Sequence, residues 1–286
     1  MNTKRITIFL GLVAIFIGIS NPLTGQKKKE KVYPKISKEH AKILDRERSA
    51  TIEDLKQAIK YKDSREAIRQ MRILMRLYYD KKTAKEVSKY LIKVIDTRFS
   101  KNEPKFVALD YLKELGEVGI KELEKALLSR FRRQPVEIRL KAITTLIRAG
   151  APSSWKVLFR LSNDKNPHIA VAAIKGLSAW KNLPSKELKK LVKKICSKLR
   201  PPTKEEIEKD LDLPPVQIAL REVLSEITGK KKETVKEWKK FVNVWVRNGC
   251  PVFNVRETLE NKKTTKNQTQ INDSHPAEKS YSTRIR

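Results

Sequence analysis

Metal binding and acid–base catalysis need histidines, cysteines or carboxylates at set spacings. His40, His168 and His275 are the histidines of this 286-residue chain. No two of them fall at helical ligand spacing, so neither a metal site nor a general base is expected from them. Cys196 and Cys250 fit no metal-ligand pattern. Cys196 lies on the apolar side of "LVKKICSKL" and reads as a buried thiol, and a Cys196–Cys250 disulfide is an option for an exported chain. Ser153 and Ser154 precede Trp155 and are expected to cap a helix, since no nearby base would activate a serine nucleophile. "ITGKKK" lacks the spacing of a phosphate-binding loop. Glu205 and Glu206 are adjacent, so their side chains diverge instead of forming a paired-carboxylate couple. No catalytic residue, metal site or cofactor is assigned.

The remaining constellation is electrostatic. Cations recur four residues apart as Lys89 and Lys93, Lys121 and Lys125, Lys156 and Arg160, Lys189 and Lys193, and Lys236 and Lys240. Residues four apart share one helix face. These ten side chains are the candidate partner-binding residues, interrupted by Glu86, Glu122, Glu124 and Glu187. The chain carries 64 basic and 33 acidic residues, a formal charge of +31. Such an excess attracts nucleic acid, anionic lipid headgroups and acidic polysaccharides. Lysine outnumbers arginine roughly two to one, which favours broad electrostatic attraction over bidentate reading of a particular sequence.

These cations must be positioned by helices. Only 9 glycines and 13 prolines occur, apolar residues make up 39%, and β-branched alternation is rare, so an all-α body is expected. Helical apolar spacing begins near Thr51 and runs to about Val246. Within it "PKFVALDYLKELGEVG" (104–119) aligns with "PVEIRLKAITTLIRAG" (135–150) at a shift of 31. A second shift of 31 brings Ile138, Leu140, Ile143 and Leu146 onto Ile169, Val171, Ile174 and Leu177 of "PHIAVAAIKGLSAW". Further copies are "PPVQIALREVLSEITG" and, more loosely, "SREAIRQMRILMRLYY". A second amphipathic helix follows each, and the cation pairs lie on those second helices. Fixed-period recurrence is the signature of a repeat array. The small residues Ala172, Ala173 and Gly176 then serve close contact between stacked helices, with Trp155, Phe159 and Trp180 filling the nearby space.

The pattern Pro-x-x-Ile/Val-x-Leu/Val-x-x-Ile/Leu-x-x-Leu resembles the first helix of HEAT repeats over about 51–246. Ile227, Thr228, Gly229 and Trp238 also resemble the last repeat of bacterial exported HEAT-repeat proteins. The resemblance implies an α-solenoid of about five helix pairs, residues 49–253, whose second helices line a concave face. Of the family's inter-repeat aspartate–arginine ladder only Asp164 and Arg139 are suggested, so that network is not carried over.

Flanking this body, "MNTKRITIFLGLVAIFIGISNPLTGQKKK" has the layout of a secretory signal peptide over 1–25. Gly18-Ile19-Ser20 and Leu23-Thr24-Gly25 are its candidate cleavage sites. The rival is an uncleaved membrane anchor, although Ile6 to Ile19 spans only about 21 Å against a hydrocarbon core of about 30 Å. Residues 26–48 form a basic lead-in, 200–214 an insertion read as a surface loop with a short helical turn, and 254–286 a polar tail expected to be disordered. The expected function is a non-enzymatic, exported scaffold that binds an acidic protein or an anionic polymer of the cell envelope. Contact with a membrane would come only through an uncleaved N-terminal segment. The alternative is a cytoplasmic nucleic-acid-binding protein of DNA-glycosylase type, which needs an acid and aromatics to converge. Trp155, Trp238 and Asp164 are its candidates.

Overall fold

A computed structural model describes residues 33–208 and 212–250. The proposed leader, the start of the lead-in and the tail lie outside them. The described residues are helical, with no strand among them. The helices are α1 (Lys38–Tyr61), α2 (Ser64–Leu74), α3 (Lys81–Asp96), α4 (Glu103–Glu114), α5 (Glu117–Leu128) and α6 (Val136–Ala149). They continue with α7 (Trp155–Leu161), α8 (Pro167–Gly176), α9 (Ser185–Ser197), α10 (Lys204–Glu208), α11 (Pro215–Thr228) and α12 (Val235–Arg247).

Local chemistry sets many of these boundaries. Ser37, Asp63 and Asn166 cap α1, α2 and α8 by accepting from backbone amides of the first turn, which satisfies donors the helix cannot satisfy itself. Reciprocal capping boxes start α3 (Asp80 with Thr83) and α12 (Thr234 with Glu237). Gly150 and Gly229 end α6 and α11 at φ 59° and 68°, a left-handed conformation that a side chain disfavours. α1 begins thirteen residues ahead of the apolar spacing that starts near Thr51. Its early turns are held by charge instead. Arg48 is buried, pairs with Asp45 at 2.6 Å and Glu86 at 3.0 Å, and donates to the Leu77 carbonyl. Tyr79 adds a hydrogen bond to Asp45 at 2.9 Å.

The substantial packing pairs among the described residues join near neighbours in chain order. First helices pack on first helices, in the succession α2, α4, α6, α8, α11. Second helices pack α3 on α5, α5 on α7, and α9 on α12. Each second helix also packs on the first helix of the next unit: α3 on α4, α5 on α6, α7 on α8 and α9 on α11. The residues in 31-residue register form the core between them. Leu109, Leu112, Ile138, Ile143, Leu146, Ile169, Ile174 and Leu177 are all buried, while Leu140 and Val171 are half-buried against that core.

α8 lies between α6, α7 and α11. A methyl group at Gly176 would stand 2.5 Å from Ile147 Cδ1 and 3.1 Å from Leu158 Cδ1, so the missing side chain is what lets α6 and α7 come this close. Ala173 is buried at the same interface, whereas Ala172 is half-exposed. Trp180 fills the space beyond and donates its indole N–H to the Ala151 carbonyl at 3.0 Å. No helix among the described residues is long and apolar enough to cross a membrane.

Candidate anion-binding surface

Residues that could act chemically are occupied structurally. No group of three potential metal ligands occurs among the described residues. His40 and His168 are exposed in the first turns of α1 and α8, and His275 lies outside the described residues. Cys196 and Cys250 are free and buried. Burial pushes both thiols up, with Lys239 beside Cys196 and Lys189 and Lys193 beside Cys250 opposing it.

Two serine assignments change. Neither Ser153 nor Ser154 caps α7 with its side chain. Both hydroxyls donate to Glu124 Oε1 on α5, Ser154 at 2.5 Å. Glu206 does not pair with Glu205. Its carboxylate receives both Arg200 Nη atoms, at 2.7 and 2.6 Å, and the Thr203 amide at 2.7 Å. The Arg200 guanidinium, with that amide, holds it down to about 2. The fork closes the start of the 200–214 insertion around α10, and buried Gln217 of α11 ties the insertion to the body through the Arg200 amide and the Lys198 carbonyl.

Asp164 and Arg139 do meet. Arg139 on α6 makes a two-pronged bridge to Asp164, one prong Nη1 to Oδ1 at 3.2 Å and the other Nη2 to Oδ2. Both side chains are largely buried. Burial raises the Asp164 carboxyl, but the guanidinium and the Asn166 amide outweigh it and hold the group below its ordinary value. Asp164 is therefore spent inside the fold, and Trp155 and Trp238 are 2% and 0% exposed. The three candidates of a glycosylase-type site are thus buried or paired within the fold.

The ten predicted cations fall into distinct groups. Nine are exposed, and Lys189 is half-buried. On α5, Lys121 pairs with Glu117 at 2.7 Å and Lys125 with Glu122 at 2.8 Å, so their charge is locally answered. On α3, Lys93 lies 4.7 Å from the Tyr90 ring centroid. Lys89, Arg160, Lys193, Lys236 and Lys240 have no ion pair among the described residues. Two first-helix lysines are answered by other helices: Lys141 pairs with Asp110 of α4 at 3.1 Å, and Lys175 with Glu222 of α11 at 3.2 Å. The unpaired cations of the predicted set thus stand on α3, α7, α9 and α12.

Two further lysines join that group and were not in the spacing-four set, although they too stand four apart. Lys194 lies 6.0 Å from the Trp155 ring and 5.4 Å from Phe159, and Lys198 lies 4.7 Å from Phe159. Lys198 Nζ donates to Ser162 Oγ at 2.5 Å and to Asn163 Oδ1. Burial lowers its pKa. Lys156 approaches the Trp155 ring at 5.9 Å, so ammonium groups from two helices approach that indole.

No family model matches the chain, and no curated protein does. Among solved structures, a chain described as "Computational Design of Self-Assembling Cyclic Protein Homooligomers" aligns with 13% identity and a TM-score of 0.24. The alignment covers 75% of this chain and 96% of that one. A likeness at that score carries no conclusion about fold or function.

Proposed function

We propose that the chain is a HEAT-like α-solenoid of about five helix pairs. On this reading it is an exported, non-enzymatic binding module that holds an acidic protein or an anionic polymer of the cell envelope along its second helices. The solenoid reading is supported by the succession of first helices packed on first helices and by close packing of each second helix on the next unit. The binding reading is carried by one observation: Arg160 of α7, Lys193 of α9 and Lys236 and Lys240 of α12 stand without carboxylate partners among the described residues. Charge of one sign left unanswered attracts a polyanion at long range and needs no reacting group. The largely buried state of Trp155 and Trp238 leaves them unavailable to stack bases, which favours a partner recognised by charge over a nucleic acid read by its bases.

Retention of the full chain on immobilised heparin and on anionic liposomes across a salt series tests this. Binding at 50 mM salt that is lost by 0.5 M, where the screening length is about 4 Å, is expected. Retention unchanged at 0.5 M, or none at low salt, refutes an electrostatic face.

A further inference from the structure

The second-helix surface is not uniform. Where the end of α9 meets α7, ammonium groups gather around the Trp155 and Phe159 rings. Lys194 and Lys198 come from α9, and Lys156 and the Trp155 indole from α7. The Trp155 N–H is buried and has no hydrogen-bond partner. Lys194 and Lys198 have no carboxylate within pairing distance among the described residues; their neighbours are the Trp155 and Phe159 rings and the Ser162 and Asn163 oxygens. Glu187, whose carboxylate feels Lys156, is engaged by Lys190 at 2.9 Å. Aromatic faces hold ammonium groups in place without neutralising them. Half-buried Lys198 consequently carries a charge that water solvates poorly and no counter-charge offsets. Such a set lacks one thing, a compact anion.

We infer that the α7–α9 seam is an oxyanion site: Lys194 and Lys198, with Lys156, take up one phosphate or sulfate group, free or carried on a polymer. Arrival of the anion supplies the missing counter-charge. Lysines suit a small tetrahedral group because each ammonium acts as a point charge with rotatable donors. The paired cations of α5 form no comparable set, since Glu117 and Glu122 already answer them. For a polymer-borne group the inference rests on the proposed function; for the free ion it stands alone.

The test uses the full-length protein in two arms. In the first, lysine side-chain NMR signals are followed as sulfate replaces chloride at constant ionic strength. Saturable shifts at Lys194 and Lys198, absent at Lys236, are expected; equal, unsaturable drift at all three overturns the site. In the second, heparin affinity of K194Q/K198Q is compared with that of K236Q/K240Q, which loses the same charge on α12. The seam variant is expected to lose about thirtyfold and the α12 variant about threefold, since contacts to half-buried charges outweigh exposed ones. Equal losses overturn the seam and leave the broader basic face standing. Absent heparin retention by the unaltered protein sinks the proposed function, while a saturable sulfate response would still support the seam. Should K194Q/K198Q fail to fold, the sulfate titration of the unaltered protein decides.

Discussion

Replacing Gly176 with alanine tests the packing from which every other placement follows. In an open helical site this change stabilises a protein, because alanine loses less chain entropy than glycine, by up to about 1 kcal/mol. Here the added methyl would meet Ile147 Cδ1 at 2.5 Å and Leu158 Cδ1 at 3.1 Å, well inside normal carbon contact. Overpacking of that kind costs about 1–3 kcal/mol. Ile147 Cδ1 is the far end of a flexible side chain, so the net expectation is a loss of about 1–2 kcal/mol, or about 3–6 °C in Tm for a body of this size. Ile147→Val removes the clashing atom and alone costs about 0.5–1.5 kcal/mol. In the double variant the two losses should fall short of their sum by about 1 kcal/mol. Urea unfolding of the four proteins, with slopes compared to confirm a common transition, measures the cycle. A stabilised G176A, or strict additivity with I147V, would refute the close approach of α6 and α7 at this residue.

Two more outcomes are expected. Arg139→Met leaves the largely buried Asp164 carboxylate unanswered and should cost about 3–5 kcal/mol. Because folding depresses the Asp164 pKa, its contribution is complete above the unfolded value of about 3.9 and disappears as pH falls through the lower folded value. Urea titrations at pH 6 and pH 3 should therefore show the unaltered protein losing more stability on acidification than R139M, and an equal loss in both would contradict the bridge. The proposed export predicts that protein isolated from its native host has an intact mass lacking the first 20 to 25 residues; a full-length mass would leave only an uncleaved anchor or a cytoplasmic protein.

Much of the helical body was legible in the residue order. The 31-residue register picked out positions such as Leu112, Ile143 and Ile174 that pack in the core, because apolar periodicity reports which side of a helix must leave water. The candidate surface was legible only in part. Spacing located ten cations on second helices, yet it did not show that Lys121 and Lys125 are answered by their own helix while Lys194 and Lys198 stand against aromatic rings of another. The early turns of α1 escaped as well, since Arg48 is held by Asp45 and by Glu86 from another helix instead of by an apolar stripe.

Residue order alone thus determined that the chain is basic, helical and internally repetitive, since composition and period are properties of the strand of residues itself. Which charges remain unanswered was decided by the folded body. An ion pair or a cation–aromatic contact depends on a few ångströms between side chains that can be tens of residues apart, as with Lys198 and Ser162. Only the packing of one helix on another sets that distance.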